Sequence, residues 1–388
     1  MEPVRTFLAI LLASVMMVVP AGAFETRASS AFVVDMTTGT VLLNKNADEP
    51  LPPASMSKLM TLYVTFEAVR DGRLSLDEKL PVSQHAMSYG GSTMFLDTTD
   101  RVSVIDLIRG IIVMSGNDAC VVLAEALSPN GTERGFADFM TRRGQQMGLS
   151  NSVFKNASGW PEAGHVMSMR DLALLTRRLI EDFPEYYPMF AETEFLFDGR
   201  APQNTTNRNP VLTLDIGADG LKTGHTRESG YSFTGSAKQG DRRIIWVISG
   251  LETAQERARE SEAIVNWAFR QFTRKDIVKA GTELARADVW MGSANDVGLT
   301  VAEDLTTLIP VMSAADLKAE IVYDGPLRSP IRQGDAVATM IFAPEGLPEM
   351  SVPLVAMEDV DHGGVFSRLG TVTGLLLARM RQSPGEAL

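Results

Sequence analysis

Pro53-Ala54-Ser55-Met56-Ser57-Lys58-Leu59-Met60-Thr61 reads as an extended segment that turns into a helix. Pro52 and Pro53 end the extended run. The apolar residues that follow, Leu59, Met60, Leu62, Tyr63, Val64 and Phe66, form a face wide enough to be buried. On such a helix Ser55 and Lys58, three residues apart, share a face, with the lysine amine beside the serine oxygen. That is a nucleophile next to a base. The backbone N–H of a serine in the first turn has no intrahelical partner and points out of the helix end, as an oxyanion needs.

Upstream, Ala31 to Asp35 and Thr40 to Leu43 flank Met36-Thr37-Thr38-Gly39 in the pattern of a hairpin. Downstream, the helix runs to about Val69 and stops at Asp71-Gly72. Residues 84 to 100 read as a long loop near the site. Two buried helices, Val104 to Val113 and Ala119 to Leu127, enclose Ser115-Gly116-Asn117, which is expected to be an exposed polar triplet held by rigid flanks. Residues 156 to 160 form a further loop, and a helix restarts at Met169. Extended character returns at Leu221 to His225, Tyr231 to Ala237 and Arg243 to Gly250, followed by a helix from about Ala254 to Phe272. Early and late strands sharing one sheet, with the helices between them, make an α+β architecture.

Beyond Arg274 short alternating runs separated by turn signals predict a small all-β domain reaching about residue 357. Val365, Phe366, Leu369, Val372, Leu376 and Met380 recur at helical spacing with Arg368, Arg379 and Arg381, the pattern of an amphipathic helix lying on a membrane or packed on the β domain. At the other end, Arg5, the apolar run Phe7 to Val19 and Ala21-Gly22-Ala23 have the form of a cleaved export signal, too short to span a bilayer. The expected division is a signal at 1–23, a catalytic domain at 24–275, a β domain at 276–360 and a membrane-association helix and tail at 361–388. The protein is therefore expected to be exported and membrane-associated.

Of 388 residues, 45% are hydrophobic and 22% charged, an ordinary globular balance. The net charge of −12 disfavours nucleic acid as a partner. Cys120 is the single cysteine, so no internal disulfide can form, and its apolar setting predicts a small buried hydrophobe. The four histidines lie in no metal-ligand spacing, so no metal or other cofactor is implied.

A Ser-x-x-Lys pair alone means little, since about one arises by chance in a chain of this size. Here Ser115-Gly116-Asn117 follows 60 residues later and Lys222-Thr223-Gly224 a further 107 on. With Gly91-Ser92-Thr93-Met94-Phe95-Leu96, Ser115 to Ala119 and Asp219 to Thr226, the chain resembles the D-alanyl-D-alanine carboxypeptidases, low-molecular-mass penicillin-binding proteins with an added C-terminal β domain.

The resemblance implies a β-lactamase/transpeptidase-like domain, an antiparallel sheet with a helical cluster. It further implies that Ser55 attacks the peptide bond between two D-alanines of the peptidoglycan stem peptide to form an acyl-enzyme, and that β-lactams inhibit covalently. Lys58 would act as base if burial and a neighbouring cation, for which Lys222 is the candidate, keep it neutral. Ser115 would relay a proton to the departing amine, and Asn117 would hold Lys58 and the substrate amide. Thr223 and Gly224 would lie along an edge strand that pairs with the peptide, Gly224 leaving room for the peptide backbone. The N–H groups of Ser55 and His225 would receive the oxyanion, and Arg208 the terminal carboxylate. Some relatives carry a histidine where this chain has Ser158, which leaves the activation of the deacylating water unassigned. Two other readings stand beside this one: a serine β-lactamase, against which Ser-Gly-Asn and the lack of a Glu-x-x-x-Asn loop argue, and a catalytically dead peptidoglycan-binding protein, against which the intact Ser55, Lys58 and Lys222 argue.

Overall fold

The computed structural model describes residues 24–311, 318–344, 347 and 349–364. The expected signal, and the expected terminal helix from residue 365 onward, lie outside the described residues.

Strands β1 (Ser30–Asp35) and β2 (Val41–Lys45) form the hairpin expected from the sequence. The Asp35 carboxylate closes its turn by accepting the Thr38 N–H at 2.8 Å and hydroxyl at 3.0 Å. A short hairpin follows later, β3 (Lys79–Pro81) with β4 (Arg101–Ser103). The late strands are β5 (Ala218–Thr226), β6 (Gly230–Gln239) and β7 (Arg242–Leu251). β7 pairs with β1, giving one antiparallel sheet in the order β2-β1-β7-β6-β5, as expected. β5 is its last strand.

Both sheet faces are covered, which is why β7 reads as a continuous apolar run rather than an alternation. Ile245 and Val247 join Phe32 in one core, while Ile244, Trp246 and Ile248 join Ala31 and Val33 in the other, the period-2 division of a strand. The first core is filled by α1 (Lys58–Arg70), α2 (Gln84–Met87), α3 (Val104–Arg109), α4 (Asn117–Leu127), α5 (Glu133–Gln146) and α6 (Met169–Asp182). α5 lies in a stretch where no helix is read from the sequence. α1 is buried from Lys58 to Ala68 and forms the centre of this cluster. Each fully buried Leu, Val or Phe on it contributes roughly 1.5–3 kcal/mol. On the other face α7 (Ala254–Arg270), started by the Thr253 side chain accepting from the Glu256 N–H, packs Ile264, Val265 and Ala268 against Trp246.

The β-rich part comprises β8 (Phe272–Val278), β9 (Ala285–Trp290), β10 (Asp296–Val301), β11 (Leu305–Pro310), β12 (Ala319–Val322), β13 (Leu327–Arg328), β14 (Ala336–Phe342) and β15 (Met350–Ala356). β8 pairs with β11, and the others form a sheet in the order β12-β14-β15-β10-β9-β13 with its own core. The buried guanidinium of Arg242 ties the two parts: it donates to Asp35 at 3.0 Å, to the Phe272 carbonyl at 2.9 Å and to the Ala268 carbonyl at the end of α7 at 3.1 Å.

Candidate active site

Ser55 stands on a single tight turn, Ala54–Ser57, immediately before α1. Ala54 has φ +49°, a left-handed conformation that costs an ordinary residue about 1–2 kcal/mol. It redirects the chain, leaving Ser55 partly exposed while Ser57 and Lys58 are fully buried. As the spacing predicts, the Lys58 Nζ reaches Ser55 Oγ at 2.9 Å. Its second partner is the Ser158 carbonyl at 2.6 Å.

That carbonyl is held by the 156–160 loop. The Asn156 Oδ1 accepts the N–H groups of Gly159 at 2.9 Å and Trp160 at 3.1 Å. Gly159, at φ +75°, is pressed so closely on the serine turn that a Cβ there would lie 1.9 Å from the Ala54 carbonyl oxygen. Beneath the turn, Ser57 Oγ lies 2.8 Å from the Nε2 of buried His165. Because His165 Nδ1 accepts the Lys155 N–H at 3.4 Å, Nε2 carries the proton and donates to Ser57. Burial, and next the charge of Lys58, push the His165 pKa down to about 4.

The second corner follows α3, whose last turn loosens to a π-helix over Gly110–Met114 and ends at Ser115 with φ +61°. The Ser-Gly-Asn residues are not the exposed triplet expected: Ser115 is 2% and Asn117 5% exposed, and Asn117 already begins α4. The Asn117 side chain does not hold Lys58; it donates to the Gly90 carbonyl at 2.7 Å, while its N–H donates to the Ser92 carbonyl at 2.7 Å. The next residue, Asp118, accepts the N–H groups of Met94 at 3.0 Å and Leu96 at 3.1 Å. α4 therefore uses its N-terminus to fasten residues 90–96. Glu133 adds a brace, accepting from the Tyr89 hydroxyl at 2.8 Å and the Ala157 N–H at 2.9 Å.

The third corner is β5. The Lys222 Nζ donates to Ser115 Oγ at 2.9 Å, so each lysine is paired with a serine. Gly224 has a reason not expected from the sequence: a Cβ there would meet Ser232 Oγ at 2.5 Å and the Pro53 carbonyl oxygen at 3.1 Å, so its missing side chain lets β5 pack against the serine turn. The exposed His225 ring stacks on Tyr231 with centroids 3.8 Å apart. Thr223 is buried beside Lys222 on the edge strand. Arg208 donates to Ser92 Oγ at 2.8 Å and Asn204 Oδ1 at 2.7 Å, and more weakly to the Met114 carbonyl at 3.3 Å. None of these partners is an acid, and among the described residues no carboxylate pairs with it.

Burial lowers the Lys58 pKa to about 8, with the Arg208 charge adding to the effect while the Cys120 thiol and Asp118 oppose it. Lys222 falls well below the ordinary lysine range, again through burial first and then the charges of Lys58 and Arg208. Of the two causes expected for Lys58, burial dominates, and the emphasis on a charged Lys222 is corrected: its own pKa is lowered too, so the two ammonium groups disfavour each other. Cys120 is buried, as its apolar setting predicts, and burial raises its thiol to about 12 against the opposing charges of Lys58 and Lys222.

A helix-flanked antiparallel sheet with a Ser-x-x-Lys pair at its edge strand and a second, all-β unit is the architecture of the penicillin-binding proteins. The chain belongs to the D-alanyl-D-alanine carboxypeptidase family, whose profile matches residues 16–253, and residues 272–362 match the C-terminal domain of penicillin-binding protein 5. It is 37% identical to D-alanyl-D-alanine carboxypeptidase DacC of Escherichia coli (strain K12), covering 87% of this chain and 85% of that protein. It is 32% identical to DacF of Bacillus subtilis (strain 168), covering 90% of each. Among solved structures, penicillin-binding protein 5 from Haemophilus influenzae superposes with a TM-score of 0.72 at 33% identity, over 87% of this chain and 99% of that one. The protein is a peptidase.

Proposed function

We propose that this enzyme removes the terminal D-alanine of the peptidoglycan pentapeptide through an acyl-enzyme on Ser55, and that β-lactams block it by acylating the same oxygen. The observation that carries the reading is the 2.9 Å contact between Ser55 Oγ and the buried amine of Lys58. Neutral Lys58 takes the hydroxyl proton as Ser55 attacks the carbonyl, and the N–H groups of Ser55 and His225 receive the oxyanion. Ser115, hydrogen-bonded to Lys222, passes a proton to the departing amine. The peptide lies along the outer edge of β5 at Thr223 and Gly224, with its carboxylate at Arg208, whose lack of an acidic partner supports that role. Asn117 acts on the substrate amide and through the 90–96 loop. Penicillin-binding protein D2 from Listeria monocytogenes, solved in an ampicillin-bound form, is 33% identical over 63% of this chain with a TM-score of 0.57, which supports the β-lactam reading.

Incubation with penicillin is expected to add one covalent adduct by intact mass, mapped to the peptide containing Ser55. An adduct elsewhere, or rapid turnover of penicillin, would sink the assignment, the latter in favour of a β-lactamase. Because the base must be neutral, kcat/KM should fall about tenfold per pH unit below an apparent pKa near 8 that belongs to the coupled lysines. A limb near 10 would contradict it.

In this reading residues 24–275 form the catalytic unit, residues 276–360 the β-rich unit, and the enzyme is exported and held at the outer face of the membrane by residues 361–388. No helix among the described residues is long and apolar enough to cross a membrane. Deleting residues 363–388 should move the mature protein to the soluble fraction; continued sedimentation with membranes would refute the anchor.

A further inference from the structure

In the β-rich part a cleft of about 990 Å³ opens at the sheet edge where β13 pairs with β9. Trp290, Met291, Asp324, Arg328, Ser329 and His362 line it, far along the chain from the serine site. Its polar groups differ from those around it. Arg286 pairs with Glu283, Asp296 and Glu358, Arg332 with Asp359 and Asp361, and Arg274 with Asp241. Arg328 has no such partner among the described residues, and neither does Asp324. The Trp290 indole is half-buried, has no aromatic or cationic neighbour within stacking distance, and its Nε1–H has no acceptor among the described residues.

The floor, by contrast, is fixed. The Ser329 hydroxyl donates to the Met291 carbonyl at 2.9 Å, and the Gly363 N–H donates to the same carbonyl at 2.8 Å. Met291 is held at φ +55°, the kind of backbone strain that collects at ligand clamps. A rigid floor beneath an available aromatic face, an unpaired guanidinium and an unpaired carboxylate is a recognition site.

We infer that this cleft binds the glycan strand of peptidoglycan, the polymer whose stem peptides the proposed activity trims. An indole with one free N–H suits the flat apolar face and polar rim of a pyranose. Arg328 suits a carboxylate or amide oxygen on the sugar, and Asp324 suits hydroxyl and amide donors. A densely anionic polymer or surface suits it less, since the chain carries a net charge of −12 and Asp324 faces the cleft. Such binding would hold the enzyme on its polymeric substrate between cleavages. The identity of the polymer rests on the carboxypeptidase reading, and the test separates the two.

The mature full-length enzyme, its serine first blocked with penicillin, is mixed with purified glycan strands stripped of stem peptides, and binding is followed by sedimentation and by tryptophan fluorescence. Saturable binding is expected, weakened at least about tenfold in Trp290→Ala and Arg328→Ala. Both variants should hydrolyse a soluble D-Ala-D-Ala peptide at the parental rate and lose rate only on intact sacculi. Unchanged glycan binding in both variants overturns the inference. So does association with anionic lipid vesicles in place of glycan, or glycan binding that appears only when residues 365–388 are removed, since the chain's own end would then be the occupant. If soluble-peptide hydrolysis is absent in the parent enzyme, the carboxypeptidase reading fails separately.

Discussion

Ser55→Ala is expected to lower release of the terminal D-alanine from pentapeptide by about 10⁴-fold or more, the scale on which removing a nucleophile acts when other groups depend on it. The fold should survive. The hydroxyl is the half-exposed group of its turn, and Lys58 keeps its 2.6 Å bond to the Ser158 carbonyl when Ser55 is cut back. Thermal unfolding and circular dichroism should therefore match the parent while penicillin labelling disappears. Residual activity within tenfold of the parent would mean that another group attacks, and the buried position of Ser57, bonded to His165, leaves it no path to substrate.

The second large effect is expected from Gly159→Ala, a change of one methyl group outside the three motifs. The added carbon would lie 1.9 Å from the Ala54 carbonyl oxygen and 2.6 Å from its carbon, both backbone atoms that cannot swing aside. Left-handed φ adds about 1–2 kcal/mol and overpacking about 1–3 kcal/mol, so the variant should lose roughly 2–5 kcal/mol in a urea melt. Relief of the clash moves the loop from the serine turn, and with it the Ser158 carbonyl that orients Lys58. A shift of about 1 Å at a reacting group can lower kcat/KM about 10²-fold. Gly72→Ala is the control: φ is +71° there, but nothing lies within 4 Å of the new carbon, so it should lose about 1–2 kcal/mol with activity intact. Equal behaviour of the two variants would refute the packing argument.

The architecture was largely legible in the residues. A hairpin before the serine, helices after it and three strands near the end predicted one shared sheet, and β1 against β7 closes it. α5 was missed because Glu133–Gln146 is mostly polar and buries only a narrow stripe, Phe136, Ala137 and Met140. The order of the motifs named the chemistry without saying which atoms touch. The expected contact of Asn117 with Lys58 is absent because spacing cannot tell a side chain that faces the lysine from one that fastens a loop. Gly224 was read only for the space it leaves a peptide, and its packing against the serine turn was not foreseen.

By itself the sequence determined that Ser55 and Lys58 share a helix face, that early and late strands meet, and that an all-β unit follows. Those features depend on neighbours in the chain, through the 3.6-residue and two-residue periods. Only the tertiary structure decided how far the Lys58 pKa falls. Desolvation and the nearness of Arg208, Asp118 and Cys120 are sums over atoms far apart in sequence, and no local pattern records them. The same holds for Gly159 and His165, which shape the serine turn from far along the chain, His165 lying 108 residues from Ser57.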